Sequence, residues 1–136
     1  MVEQIEIILP AYKRGYHIIT DLIISKLKNL PEKALLNLFI HHTSAALTVN
    51  ENADPSVRRD FENFINKLIP ERHPTYTHTL EGDDDMPAHL KTSFIGQSLN
   101  IPIKNHHLGL GVWQGIYLCE FRDYGGERKI TATIIT

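Results

Sequence analysis

Eight histidines in a chain of 136 residues, against two methionines and one tryptophan, are the first chemistry this sequence offers. A neutral imidazole is a divalent-metal ligand, and three converging on one point form an open site of the catalytic-zinc kind. Imidazoles alone suit zinc, nickel or iron, while added carboxylates favour manganese or iron. His42 stands at the end of an apolar run, directly before Thr43 and Ser44. His78 and His89 bracket an acidic stretch, Glu81-Gly82-Asp83-Asp84-Asp85. No H-E-x-x-H or comparable short signature is present. At this level any single histidine, including His17, His41, His73, His106 and His107, reads equally well as a solvated or hydrogen-bonded loop residue.

The aspartates beside His78 and His89 suit two roles. They can orient imidazoles from behind or bind a hard cation. Asp85, before Met86-Pro87, is also well placed to cap a helix. In the loop Asn50 to Asp54, Glu51 is the candidate acid, base or ligand, and Asp54 reads as a cap. Phosphate-binding glycine signatures are missing, and Gly109-Leu110-Gly111 alone does not make one. Thr43 and Ser44 offer hydroxyls and backbone N–H groups, and Arg122 and Arg128 offer planar forks for carboxylate or phosphate. An ion pair with Glu120 or Asp123 is the plain alternative for either arginine. Glu120 breaks the apolar pattern of Ile116 to Phe121, so it is either solvated or paired in a pocket. With Arg122 two positions on, both are expected on one face of a strand, projecting together into a ligand pocket. Cys119 has no cation or helix N-terminus beside it and reads as an inert core residue. Ser44 follows a histidine by two positions, which is not triad geometry.

These residues must be held by elements that the hydrophobic pattern outlines. Glu3 to Leu9 alternates as a strand and Tyr16 to Ile19 as a second, short one. Thr20 or Asp21 opens a helix through Leu30. Leu35 to Ile40 and Ala45 to Val49 are strands on either side of His41-His42-Thr43-Ser44. Asp54-Pro55 is a cap and first-turn pair for a helix over about 56–68, with Val57, Phe61, Phe64, Ile65 and Leu68 on one face. Met86 to Ile95 reads as a further short helix. Ser98 to Lys104 is a strand placed at an edge by Pro102. Val112 to Phe121 and Arg128 to Ile135 are the two best strands. Strands outnumber helices and lack βαβ spacing, so the fold class is α+β with antiparallel or mixed sheets.

The length fits one domain, 1–136. Hydrophobic residues make up 42% and charged residues 22%, which is globular composition and excludes a disordered chain. A net charge of −2 gives no basic field for nucleic acid or an anionic membrane. One cysteine excludes an internal disulfide and a multi-cysteine metal site. No apolar run is long enough to span a bilayer, and the start of the chain lacks signal-peptide order. A soluble, cytoplasmic protein is therefore expected, with neither nucleic acid nor membrane as partner.

Three segments together resemble a known family. They are His42-Thr43-Ser44-Ala45-Ala46-Leu47-Thr48-Val49-Asn50-Glu51-Asn52-Ala53-Asp54-Pro55, then Tyr76-Thr77-His78 with Glu81-Gly82 and Asp84-Asp85-Met86-Pro87-Ala88-His89, then Gly111-Val112-Trp113-Gln114-Gly115-Ile116-Tyr117 with Glu120. In this order they resemble the YjbQ family, often labelled the secondary thiamine-phosphate synthase family. Asp83 and Val112 depart from the residues common in that family. The resemblance implies a β-sandwich-like α+β core with two main helices, a homotrimer, and a weak thiamine-phosphate synthase activity beside a main function that is unknown. It maps the family histidines to His42, His78 and His89, which makes them the expected ligands of a divalent metal, zinc first, with magnesium or manganese as alternatives. Asp84 and Asp85 are then expected behind the ligands, Glu51 and Glu120 as catalytic groups, and Thr43, Ser44, Gln114 and Arg122 on a small phosphorylated substrate. Two other functions fit the same residues: a metal-dependent hydrolase or lyase acting on a small phosphorylated or anionic substrate, and a non-catalytic binder of a metal or phospholigand.

Overall fold

Leu36, Leu38 and Ile40 alternate with exposed or half-exposed neighbours, as do Ile130, Ala132 and Ile134, and each trio turns to the same interior. In the computed structural model, which describes residues 1–136, these belong to β3 (Lys33–Ile40) and β8 (Arg128–Ile135). The remaining elements are β1 (Val2–Leu9), β2 (Gly15–Ile18), α1 (Thr20–Lys26), β4 (Ala45–Glu51), α2 (Pro55–Leu68), α3 (Asp85–Ile95), β5 (Ser98–Lys104), β6 (His107–Leu108) and β7 (Gln114–Glu120). Five strands form one sheet in the order β1-β8-β3-β5-β6, and three form a second in the order β2-β7-β4. Every pairing is antiparallel, so the expected α+β sandwich stands, without parallel pairs.

The smaller sheet is the middle layer. Ile116 and Leu118 of β7 face the larger sheet in the main core, with Ala45 and Leu47 of β4 beside them. Tyr117 and Cys119 point the other way and pack with Tyr16, Ala46, Phe121 and Ala88 of α3, with Phe61 of α2 against them. Because both faces of β7 are covered, it is apolar without alternation. Burial pushes the Cys119 thiol well above its ordinary value, in keeping with an inert core residue.

Local expectations mostly hold. Asp54 accepts a hydrogen bond from the Ser56 amide at 2.9 Å, with Pro55 opening α2. β5 is shielded on one side only by the two residues of β6, so Pro102 does lie near an edge. Three details differ. The first of the three helices, α1, is short and ends at Lys26 instead of running on to Leu30. Asp85 is the first residue of α3 rather than its cap, and its carboxylate is turned to histidines instead. β7 ends at Glu120, so Arg122 lies beyond the strand and the two side chains do not project together.

Candidate metal centre

The start of α3 places Asp85 and His89 four residues apart, hence on one helical face. His78 reaches the same point from the segment before the helix. Its Nε2 lies 2.7 Å from Asp85 Oδ2, and His89 Nε2 lies 3.2 Å from that same oxygen. Ligand atoms of His78, Asp85 and His89 all fall within 4.8 Å of one another. Asp85 is only 2% exposed, and Arg122 Nη1 donates to its other oxygen. Burial alone would raise the Asp85 carboxyl; the His78 hydrogen bond and the charges of His89 and Arg122 outweigh it and hold it below its ordinary range.

The second nitrogen of His89 settles its proton. His89 Nδ1 is 2.9 Å from the Thr43 carbonyl, which can only accept, so Nδ1 is the donor. Nε2 is then the nitrogen turned toward the carboxylate. A backbone carbonyl behind a ring that presents its far nitrogen to a cluster is the arrangement that orients metal-ligating histidines.

His42 is not part of this cluster. Its Nε2 accepts the Lys129 amide at 2.9 Å, which leaves the ring proton on Nδ1. Burial, with the Arg128 charge next, lowers its pKa, so it is held neutral. The group formed is therefore two histidines and Asp85, rather than the three histidines expected, because the β8 backbone has claimed His42. His42 still lines the same cavity as His89. That cavity, about 910 Å³, opens between the His41–Ser44 connection and α3. His78 lines a smaller one of about 270 Å³, so the cluster stands between the two.

The other expected site residues divide. Thr43 and Ser44 line the larger cavity. Asp84 accepts from Arg122 Nε at 3.0 Å and from the Asp123 amide at 2.9 Å, and so braces Arg122 behind Asp85. Glu120 is fully buried on the inter-sheet face of β7 and is bound by Arg128, whose Nε donates to it at 2.7 Å. Arg128 also donates to Ser44 Oγ at 3.0 Å. Glu120 thus closes the end of the sandwich through a buried ion pair, and it is Arg128 that reaches the cavity wall. Gly125 lies directly over the pair: a side chain there would meet Glu120 Oε1 at 2.4 Å. Glu51 and Gln114 do not join the cluster. They pair at the far end of the β4–β7 ladder, six positions from the Ala45–Glu120 pair, about 20 Å at strand rise. Glu51 accepts the Ala53 and Asp54 amides and Gln114 the Gly111 amide, so both hold turns.

Sequence reasoning passed over Thr92, Ser93 and Gln97, which line the larger cavity from α3 and its end. The four-residue spacing of Asp85 and His89 was the available signal for a mixed carboxylate–imidazole cluster.

The comparisons with known proteins agree with one another. The sequence matches the family described as "UPF0047 protein YjbQ-like" over residues 4–136. It is 52% identical over 123 residues to UPF0047 protein YjbQ of Salmonella typhimurium, covering 89% of this chain and 88% of that one. It is 46% identical over 128 residues to the Escherichia coli O157:H7 protein of the same name, covering 93% and 92%. A YbjQ-like protein of unknown function from Sulfolobus solfataricus superposes with a TM-score of 0.86 at 25% identity, covering 99% of this chain and 97% of that one. An uncharacterized YjbQ/UPF0047 protein from Clostridium acetobutylicum does so with a TM-score of 0.80 at 37% identity, covering 96% and 99%.

Proposed function

The chain belongs to the UPF0047 YjbQ-like family, and from that premise we propose that it is a metal-dependent enzyme acting on a small anionic molecule in the cavity beside His89. The observation that carries this reading is the orientation of His89. With its proton committed to Thr43, a neutral His89 turns a lone pair on Asp85 Oδ2 at 3.2 Å. Two electron-rich atoms stay that close only with a cation between them. A proton on Nε2 answers this by making an ion pair; a divalent ion displaces that proton and uses the same electrons, taking His78 as a further ligand. Two imidazoles and a carboxylate suit zinc, manganese or iron, and suit magnesium less, because it prefers oxygen donors.

Such an ion supplies Lewis acidity at the edge of the cavity. Asp85 and the Thr43 carbonyl fix the imidazoles, and Arg122, braced by Asp84, fixes Asp85. His42 offers an Nδ1–H donor in the same cavity wall, and Thr43 and Ser44 offer hydroxyls to the substrate. We favour hydrolysis or elimination over thiamine-phosphate synthesis as the main activity. Synthesis would release pyrophosphate here, yet Arg128 is neutralised by Glu120, and Arg122 by Asp84 and Asp85. No arginine of the site is left to take a second phosphate.

Elemental analysis of the purified protein tests the reading. About one divalent ion per chain is expected, lost in His78→Ala and in His89→Ala, with chelation abolishing turnover of phosphate esters. Protein that carries no metal, and whose melting temperature does not respond to added zinc or manganese, overturns it. A metal that binds without any turnover would favour the non-catalytic binder instead.

We also propose a homotrimer in the cytoplasm. No helix is long and apolar enough to cross a membrane. Beyond Phe61, which packs inward, the apolar face of α2 is uncovered in one chain, Phe64 being 65% and Leu68 57% exposed, which supports burial between copies. A stable 15.5 kDa species in light scattering at micromolar concentration would exclude it.

A further inference from the structure

Only three buried side-chain polar atoms in the chain lack a hydrogen-bond partner: Tyr16 Oη, Arg58 Nη1 and Thr92 Oγ1. Thr92 belongs to the large cavity already described. The other two residues line one separate cavity of about 230 Å³, where the segment before β2 meets the first turns of α2. Tyr16 is 8% exposed, so its hydroxyl has no ready exchange with bulk water. A guanidinium N–H is only a donor and a phenol O–H is a donor too, so what both lack is an acceptor.

The charges around that space point the same way. Lys13 and Arg59 also line it. Neither they nor Arg58 makes an ion pair, although Arg14 beside them is bound to Glu71 at 2.9 Å and to Asp123 at 3.3 Å. Glu62 is the one carboxylate in the lining. Among the lining side chains, three cations without an ion pair face one carboxylate, an excess of two positive charges, while outside the lining the exposed Asp54 lies near enough to feel the Arg58 and Arg59 charges. Pro55, the first residue of α2, borders the cavity as well, which adds the positive end of a 14-residue helix. Gly15 has φ +143°, and a side chain on it would press to 2.9 Å from Glu62 Oε2, so this glycine lets β2 approach α2 and the cavity form.

We propose that this cavity is an oxyanion site for a phosphate dianion, either inorganic phosphate or the terminal group of a small phosphate monoester. The dianion matches the two net charges, and its oxygens supply the acceptors that Arg58 Nη1 and Tyr16 Oη are missing. Arg58 grips through its fork, Tyr16 donates from the buried side, and Lys13 and Arg59 close over the exposed side. No residue of the site belongs to the histidine centre, so the two stand or fall separately.

Calorimetric titration of the full chain with inorganic phosphate tests this, with phenyl phosphate and acetate as parallel arms at matched ionic strength. Saturable one-site binding of phosphate is expected, with acetate much weaker. Tighter binding of phenyl phosphate assigns the site to monoesters, and tighter inorganic phosphate assigns it to the free ion. Arg58→Gln should weaken binding about tenfold or more and Tyr16→Phe several-fold, while His89→Ala leaves it unchanged. Lys13→Gln and Arg59→Gln alter exposed side chains and should each weaken binding, so the test survives if a variant at 16 or 58 does not fold. Phosphate binding that is absent, indifferent to Lys13→Gln and Arg59→Gln, or abolished by His89→Ala overturns the proposal.

Discussion

Replacing Glu120 by Gln removes the anion from a pair in which both members are buried, Glu120 being 0% and Arg128 5% exposed. Arg128 then keeps Ser44, through Oγ at 3.0 Å and the carbonyl at 3.3 Å, and one amide oxygen of the new side chain, whose NH₂ group now faces the guanidinium, so its charge is left uncompensated between two sheets. Breaking one partner of a buried pair costs about 3–5 kcal/mol. An unfolding entropy of roughly 2.1 cal/mol/K per residue gives about 0.29 kcal/mol/K for this chain of 136 residues, so the melting temperature should fall by about 10–17 °C. Removing both partners is different, because no charge stays behind: Glu120→Met with Arg128→Met should cost far less than the sum of the single changes. Urea denaturation of wild type, both single variants and the double closes the cycle, with a coupling energy of at least about 2 kcal/mol expected. The metal content of the folded Glu120→Gln fraction should equal that of wild type. A single-variant loss under about 1 kcal/mol, as for an exposed pair, or additive single losses, would refute the inter-sheet role. Unchanged stability with lost turnover would return Glu120 to catalysis.

Gly125→Ala should destabilise the chain through the same pair, since the added methyl group meets Glu120 Oε1 and Arg128 Nη2 well inside contact distance; the defect should vanish in the Glu120→Met, Arg128→Met background, and its persistence there would place the clash elsewhere. Lys91 is 3% exposed, with Nζ on Asn66 Oδ1 at 2.6 Å, and burial, then the Arg14 charge, lowers its pKa from 10.5. The unfolded chain therefore holds this proton more tightly, so stability should rise with pH from the folded value up to 10.5 and level off above it; denaturation curves of Lys91→Met should lack that rise, and an equal slope in both proteins would contradict it. The Ser56 amide holds the Asp54 carboxyl below its ordinary value, so its share of stability is present above the unfolded carboxylate pKa and fades as pH falls through the folded one. Asp54→Asn keeps an acceptor for that amide but should remove this acid dependence, which thermal melts between neutral and acid pH will show.

The elements were legible where local rules and burial agree. Asp54-Pro55 marked the start of α2, and the alternation of Leu36, Leu38 and Ile40 gave β3 its inward face. The exposure of Phe64 and Leu68 was not, because the hydrophobic pattern of α2 marks a face to be buried without saying against what. At the site, His78 and His89 meet at Asp85, with the Thr43 carbonyl behind His89 and Ser44 in the wall of the adjoining cavity. For Asp85 the sequence offers two roles, a helix cap and a carboxylate serving the histidines, and it takes the arrival of His78 from outside the helix to turn its carboxylate to the second. His42 left the ligand set because of a backbone amide 87 positions away. An ion pair of Arg128 with Glu120 is among the readings the residues offer, but its burial between the two sheets is not, because strand alternation carries no word of inter-sheet partners.

The chain crosses between sheets at one end of the sandwich, and the larger cavity lies at these crossings. Residues 41–44 join β3 to β4, and residues 121–127 join β7 to β8. The exit from α3 touches both sheets: the Gly96 carbonyl takes the Leu47 amide of the smaller one, and the Gln97 carbonyl takes the Ile40 amide of the larger. Most side chains in these stretches lie outside the strand ladders that hold the register, so this end can be diversified while the scaffold keeps its pairings. A combinatorial library confined to positions 41, 43, 92, 93 and 97 would reshape the cavity wall around an unchanged histidine cluster. Gly125, under which no side chain fits, is the letter such a library has to keep.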